Sequence, residues 1–309
     1  MEKRRIGLLQ VSVVGLGCNN FGWRIDAEAT GKVVEAALDA GINFFDTADV
    51  YGGGKSEEFL GRSLGGKRKD AVLATKFGIK FAEGRQGAKP AYVKQAVEDS
   101  LQRLGTDYID LYQLHTPDAA TPIADTLGAL NDLVKAGKVR EIGCSNFSVE
   151  QLREAQAAAK SGAARFVSVQ NHYSLLHREP ENGVLEECAR EGIAFIPYFP
   201  LESGLLSGKY RRGQALPEGS RGRDGFGPKF FTEENIAKAE ALSDFAASRG
   251  HPALKLAISW LASQMAVASV IAGAKTPEQA LSNAAAAAWK MTKQDLAAID
   301  EILAQPVSG

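Results

Sequence analysis

Short β-type runs alternate with helical patterns along nearly the whole chain, and this alternation limits the fold more than any other feature. "VGLGC" (14–18), "INFFDT" (42–47), "AVLATKFG" (71–78) and "YIDLYQLH" (108–115) read as buried strands. "KVREIGCS" (138–145), "FVSVQ" (166–170), "IAFIPYF" (193–199) and "VASVIAG" (267–273) read likewise and bring the number to eight. Between them lie helical stretches such as "AEATGKVVEAALDAG" (27–41) and "PAYVKQAVEDSLQRLG" (90–105). The first sets Val33, Val34, Ala37 and Leu38 on one face, and Gly41 and Gly105 stand where helix C-caps belong. Strands separated by helices connect as right-handed βαβ units around a parallel sheet. Eight such units in about 260 residues close into a (β/α)8 TIM barrel; an open doubly wound sheet is the alternative.

At 309 residues, length alone would allow two domains, but no linker rich in Pro, Gly or Ser parts two cores. The expectation is one barrel domain over 1–309, with an N-terminal β-hairpin, a long insertion near 200–231 and an extra helix near 292–303. "AAAAAW" (284–289) reads as an Ala-rich helix segment. The N-terminus begins charged and turns apolar, but Gln10 and Ser12 interrupt the run that a signal peptide needs. A net charge of −1 gives no footprint for nucleic acid or an anionic membrane, and neither is an expected partner. No apolar run reaches the roughly 18 residues of a membrane span. Cys18, Cys144 and Cys188 are too few and too scattered for a disulfide framework, so a cytoplasmic, reducing setting is expected. Four histidines without an HxH or HExxH cluster argue against a metal site. "GRSLGGKR" (61–68) matches a phosphate loop only up to Lys67; Arg68 replaces the Ser or Thr, and the segment does not join a strand to a helix.

A barrel carries its chemistry at the C-terminal ends of its strands. The second strand ends in Asp46 with Tyr51 just beyond, the third in Lys76 and the fourth in His115. Neighbouring strands lie about 4.8 Å apart, so three consecutive ends fall within roughly 10 Å. Alone, each residue has an ordinary reading: a helix cap, a rim aromatic, a solvated lysine, a core histidine. Together they make a proton donor for carbonyl reduction. A lysine ammonium lowers a nearby tyrosine's pKa, an aspartate holds that ammonium charged, and a histidine orients a carbonyl oxygen. Glycines 52–54 would let Tyr51 sit on a tight turn.

"GINFFDTADVYGGGKSEEFLG", "LATKFG", "DYIDLYQLHTPD", "LVKAGKVREIGCSNFS" and "SVQNHYSLL" resemble the aldo-keto reductase superfamily, in order and from Gly15 to about Asn283. That resemblance implies a (β/α)8 barrel that binds a nicotinamide cofactor extended, without a Rossmann fold. Its Asp, Tyr, Lys, His tetrad falls on Asp46, Tyr51, Lys76 and His115. It also implies that Ser145, Asn146 and Gln170 bind the carboxamide and that Tyr198 stacks on the nicotinamide. "FPLESGLLSGKY" (199–210) corresponds to the pyrophosphate segment, with Leu201, Gly204 and Lys209 chosen there. "GAKTPEQALSN" (273–283) corresponds to the adenosine segment, with Gly273 and Lys275 near the 2′-phosphate and Gln279 and Asn283 towards adenine. Many relatives carry Arg where this chain has Gln279, which weakens the case for a 2′-phosphate. NADP(H) is the expected cofactor, with NAD(H) as the alternative.

Aromatic residues near the strand ends suggest an apolar substrate pocket: Phe21, Trp23, Phe77 and Phe199, with Thr116 where relatives often have Trp. The glycine-rich stretch 211–227 reads as a loop over the cofactor whose arginines, Arg211, Arg212, Arg221 and Arg223, help hold phosphate. The chain ends soon after its last helix, and a short tail suggests a wide cleft. Similar barrels also serve as redox-sensing β subunits of potassium channels. That reading is the alternative function, although the first strand begins too early for a channel-blocking segment.

Overall fold

A computed structural model describes residues 1–214 and 229–305. Strands β1 (Lys3–Ile6) and β2 (Leu9–Ser12) form an antiparallel hairpin. Eight further strands follow: β3 (Val14–Gly17), β4 (Phe44–Asp46), β5 (Val72–Phe77), β6 (Ile109–Leu114), β7 (Val139–Ser145), β8 (Phe166–His172), β9 (Ala194–Tyr198) and β10 (Val270–Gly273). They pair in parallel, in the order β10-β3-β4-β5-β6-β7-β8-β9. A parallel bridge from Phe195 to Val267, with the Ala268 N–H donating to the Phe195 carbonyl at 2.9 Å, brings the two edges together. The barrel is therefore nearly closed, and seven of its strands lie inside the runs read from the sequence, while β8 runs past its own, from Phe166 to His172.

The connecting helices are α1 (Ala27–Asp39), α2 (Lys55–Leu64), α3 (Pro90–Leu104), α4 (Ile123–Lys135), α5 (Val149–Ala158) and α6 (Val184–Glu191). They continue with α7 (Glu233–Ser248), α8 (Ala253–Ser263), α9 (Pro277–Ala285) and α10 (Lys293–Ala304). Their ends follow local chemistry. Asp26 caps α1 by accepting from the Ala29 N–H, and Ser148 with Gln151 forms a capping box at α5. Gly105 ends α3 in the left-handed conformation, as its position suggested. Two elements differ from expectation. The β9–β10 connection holds two helices, α7 and α8. The Ala-rich stretch stops being α-helical at Ala285 and tightens into a 3-10 turn over Ala286–Ala288. The Ser259 hydroxyl donates to the Ala286 carbonyl at 2.6 Å and accepts from the Trp289 N–H at 3.1 Å, which fixes that ending.

The main apolar layer lies between strands and helices, from Val13 to Ile299. A smaller cluster fills the lower barrel: Phe44, Ala74, Leu111, Ile196 and Ile271, closed from below by Ile6, Leu9 and Val11 of the hairpin. Side chains alternate across a strand with period two. Two residues above Phe44, Ala74 and Leu111 the same inward faces therefore carry Asp46, Lys76 and Gln113. The barrel interior thus turns from apolar to polar in a single layer, and that layer is the floor of the candidate site. Among the described residues no helix is long and apolar enough to cross a membrane.

Candidate active site

Lys76 and Asp46 face each other inside the barrel, both almost wholly buried, with Nζ 2.5 Å from Oδ2. A second Lys76 hydrogen goes to the Thr47 carbonyl at 2.8 Å. The Asp46 Oδ1 accepts from Gln113 Nε2 at 3.1 Å and from Gln170 Nε2 at 2.9 Å. Asp46 is thus fully engaged, and Lys76 has its third hydrogen left on the side where Tyr51 lies. Nζ sits 5.1 Å from the centre of the Tyr51 ring. Burial pulls the Lys76 pKa down, but the Asp46 charge, with the hydrogen bonds to Asp46 and Tyr51, outweighs it and holds the group above the ordinary lysine value.

Tyr51 opens a 3-10 turn, Tyr51–Gly54, in which three successive glycines have φ of +59, +65 and +92. Gly52 also faces the Phe21 carbonyl, which an added Cβ would meet at 2.8 Å, so both conformation and space demand glycine there. The Tyr51 and His115 rings meet edge to face with centroids 5.8 Å apart. A lysine ammonium beside a tyrosine is expected to lower the phenol pKa. The net shift is instead upward, because burial exceeds the effect of the ammonium. Tyr51 is thus a phenol that keeps its proton at neutral pH. His115 shifts the other way, down to about 3, through burial first and then the Lys76 charge. It is a neutral ring, and its Nδ1 is buried without a hydrogen-bond partner in the structure.

The residues assigned to the cofactor gather at the same mouth. The Ser145 hydroxyl donates to the Gln170 carbonyl at 2.7 Å. Asn146, at φ +63, donates to the His115 carbonyl at 2.9 Å and accepts from the Tyr198 hydroxyl at 2.8 Å. Ser145, Asn146, Gln170, Tyr198 and His115 are therefore one network across β6–β9, although the Gln170 amide N–H group is turned to Asp46. Just after β9, Phe199, Glu202, Ser203 and Gly204 all have positive φ, from +45 to +97, which costs roughly 1 kcal/mol or more at each residue other than glycine. The open side of Gly204 faces Lys209: a Cβ there would lie 3.8 Å from its Nζ. Leu201, at φ −111, precedes the 202–204 turn, and its carbonyl accepts from the Gly204 N–H at 2.7 Å. At the β10–α9 turn, the Lys275 N–H donates to Gln279 Oε1 at 2.8 Å and Asn283 Nδ2 donates to the Gly273 carbonyl at 3.3 Å.

The pocket residues divide. Phe21 and Phe77 have no exposed surface and belong to the outer core, so they cannot wall an open cleft. For Phe77 the reason is strand alternation: with Lys76 pointing in, its neighbour points out and stacks on Tyr112 at 4.7 Å. Trp23 is exposed, with the Arg24 guanidinium 4.4 Å above its ring. Thr116 and Phe199 are half-buried. Arg211 and Arg212 pair with Asp244 and Glu240 of α7, each at 2.9 Å, rather than facing the mouth as phosphate ligands. Arg221 and Arg223 lie outside the described residues.

A barrel with this layer of side chains can be compared with known proteins. Residues 13–304 match the Aldo/keto reductase family. The chain belongs to that family. "Aldo-keto reductase YhdN" of Bacillus subtilis (strain 168) is 34% identical over 312 aligned residues, covering 97% of this chain and 92% of that protein. The glycerol dehydrogenase AKR11B4 from Gluconobacter oxydans superposes with a TM-score of 0.85 at 32% identity, covering 99% of this chain and 97% of that one. A probable voltage-gated potassium channel subunit beta of Oryza sativa subsp. japonica is 32% identical, covering 92% of this chain and 90% of that protein. Aldo/keto reductases are oxidoreductases that use nicotinamide cofactors, so this chain is of that general class.

Two further residues, Gln113 and Asp49, belong to the candidate site of this aldo/keto reductase. In "YQLH" His115 is the conspicuous residue, yet a polar residue two positions from Leu111 in a buried strand has to point inward, as Gln113 does. Asp49, in the turn leading to Tyr51, is 3% exposed, and its Oδ1 has no hydrogen-bond partner in the structure. Burial first, and then the charge of Glu57, push its pKa up to about 7. The folded chain therefore binds a proton at Asp49 that the unfolded chain releases near pH 4, and the stability this confers is lost as pH rises through about 7. Depressed His115 acts oppositely: its contribution is lost as pH falls from about 6.5 towards 3. Asp49→Asn is expected to raise Tm over the native chain, most at about pH 8, with the gain shrinking towards pH 4. Thermal melts across that range check it; a pH-independent difference would contradict the buried, protonated acid.

Proposed function

We propose that the chain transfers hydride between NADP(H) and an aldehyde or ketone, or the corresponding alcohol or sugar. The observation that carries this reading is the Lys76 ammonium, held by Asp46 at 2.5 Å and by Thr47 at 2.8 Å, with Tyr51 on its remaining side. Nicotinamide supplies or accepts the hydride when bound. Tyr51 gives its proton to the forming alkoxide as general acid, and the Lys76 charge stabilises the phenolate left behind. His115, neutral at working pH, orients the carbonyl by donating a hydrogen bond. Oxidation of an alcohol uses the same groups in reverse.

The cofactor reading is supported by the linked Ser145–Asn146–Tyr198 network and by Lys209 beside the left-handed backbone at Gly204, a combination suited to phosphate oxygens. Leu201 would pack beside it. At the far end Gly273, Lys275, Gln279 and Asn283 would meet the adenosine, with the Lys275 ammonium as point charge for the 2′-phosphate. Trp23, Thr116 and Phe199 remain as pocket walls. Titration with NADPH and NADH, followed by intrinsic fluorescence, tests this reading and precedes a carbonyl panel. NADPH is expected to bind at least about tenfold tighter, the worth of one extra charge-assisted contact. Equal binding would shift the assignment to NAD(H), and binding of neither would remove the reductase reading.

The rice relative named as a potassium channel β subunit favours one other reading, a cofactor-binding redox sensor with little turnover. A stable tetramer by light scattering, with cofactor bound and negligible carbonyl reduction, would select it.

A further inference from the structure

His172 ends β8, Glu202 opens the 3-10 turn that follows β9, and the two meet beside Tyr198. The β8–β9 register sets His172 opposite Tyr198, so the two rings share a face and stack, with centroids 5.5 Å apart and 16° from parallel. A bridge between Ser174 and His177 then folds the chain back, and the His177 ring also stacks on His172, at 3.8 Å and 7°. Between these stacked rings His172 reaches Glu202, and Nε2 lies 2.7 Å from Oε1. The Ser174 hydroxyl donates to the same oxygen.

Glu202 is 2% exposed and has φ of +45. A carboxylate sealed from water needs donors, and here they come from the end of β8 rather than from its own segment. Ser203 and Gly204 follow with φ of +56 and +97. Only glycine is at ease in that conformation, so something outside the turn must hold Glu202 and Ser203 there. The same ring that backs Tyr198 is what anchors the turn.

We propose that His172, with Ser174, is a positioning residue for the cofactor-phosphate segment. By fixing the buried Glu202 carboxylate it holds residues 202–204 left-handed, so that the backbone beside Lys209 is preset for phosphate. The proposal rests on the reading that 199–209 receives the cofactor's pyrophosphate.

The test is cofactor affinity and steady-state kinetics on the full chain. His172→Phe keeps a ring against Tyr198 and removes the donor. Its Kd and KM for NADPH are expected to rise roughly tenfold, while kcat at saturating cofactor stays within about twofold. His172→Gln returns a donor and should restore Kd to within about threefold of the native chain. Glu202→Ala and Glu202→Gln repeat the loss and the rescue from the other side, and they carry the test if His172→Phe does not fold. Unchanged Kd in the loss variants, in a native chain that binds NADPH, overturns the positioning role and leaves the cofactor reading standing. A fall in kcat with Kd unchanged also overturns it. A native chain that binds neither NADPH nor NADH overturns both.

Discussion

Tyr51→Phe is expected to lower turnover by roughly 10²–10⁴-fold, the range of a lost general acid, while Kd for the cofactor and Tm stay close to those of the native chain. The substitution removes one oxygen. It keeps the ring, and with it the edge-to-face contact to His115 and the position 5.1 Å from Lys76 Nζ. Two of its neighbours supply no replacement proton: Asp46 is engaged by three donors, and His115 is neutral at any working pH. The pH profile makes the test sharper. Burial holds the Tyr51 phenol above its ordinary value, so reduction should stay level through neutral pH and fall only above the usual tyrosine range, near 10. Oxidation needs the phenolate and should instead rise with pH. A Tyr51→Phe chain with more than about a tenth of native turnover would sink the general-acid role.

The meeting of Asp46, Tyr51, Lys76 and His115 was legible because strand order and strand ends are one-dimensional facts. Each residue closes or follows an apolar run, and consecutive parallel strands bring those ends together. Phe77 shows the limit of reading by proximity along the chain: next to Lys76 in sequence means the opposite face of the strand. Gln113 shows the converse, since the period of two was present in the sequence and would have found it. The sign of the Tyr51 shift was out of reach, because it depends on how much burial surrounds the phenol relative to one ammonium. The Glu202 turn was also out of reach. Nothing in "LESG" announces left-handed Glu and Ser, and the partner that holds them lies on another strand. Arg211 and Arg212 looked like phosphate ligands by composition, but two acidic side chains of α7 claim them.

Asp46→Asn should cost both stability and chemistry, and its pH dependence should separate the two. The native carboxylate accepts from Lys76 through Oδ2 and from Gln113 and Gln170 through Oδ1. An amide has one acceptor oxygen, so its NH2 must face either an ammonium or two other amide donors. Lys76, which has no exposed surface, is left with no countercharge. Breaking a buried pair in this way costs about 3–5 kcal/mol, which should appear as a Tm lower by several degrees. Lys76 can relieve that cost by losing its proton, since the Asp46 charge is what outweighs burial and keeps its pKa high. A neutral amine no longer stabilises the Tyr51 phenolate, and reduction should fall by roughly 10–10³-fold at pH 8. As pH falls, Lys76 regains its proton and residual activity should climb, a limb absent from the native profile. Tyr51→Phe would show no such recovery, because there the missing group is the acid itself and not the charge that supports it. An Asp46→Asn chain with native Tm and a flat pH profile would mean that Lys76 is held charged by something other than Asp46.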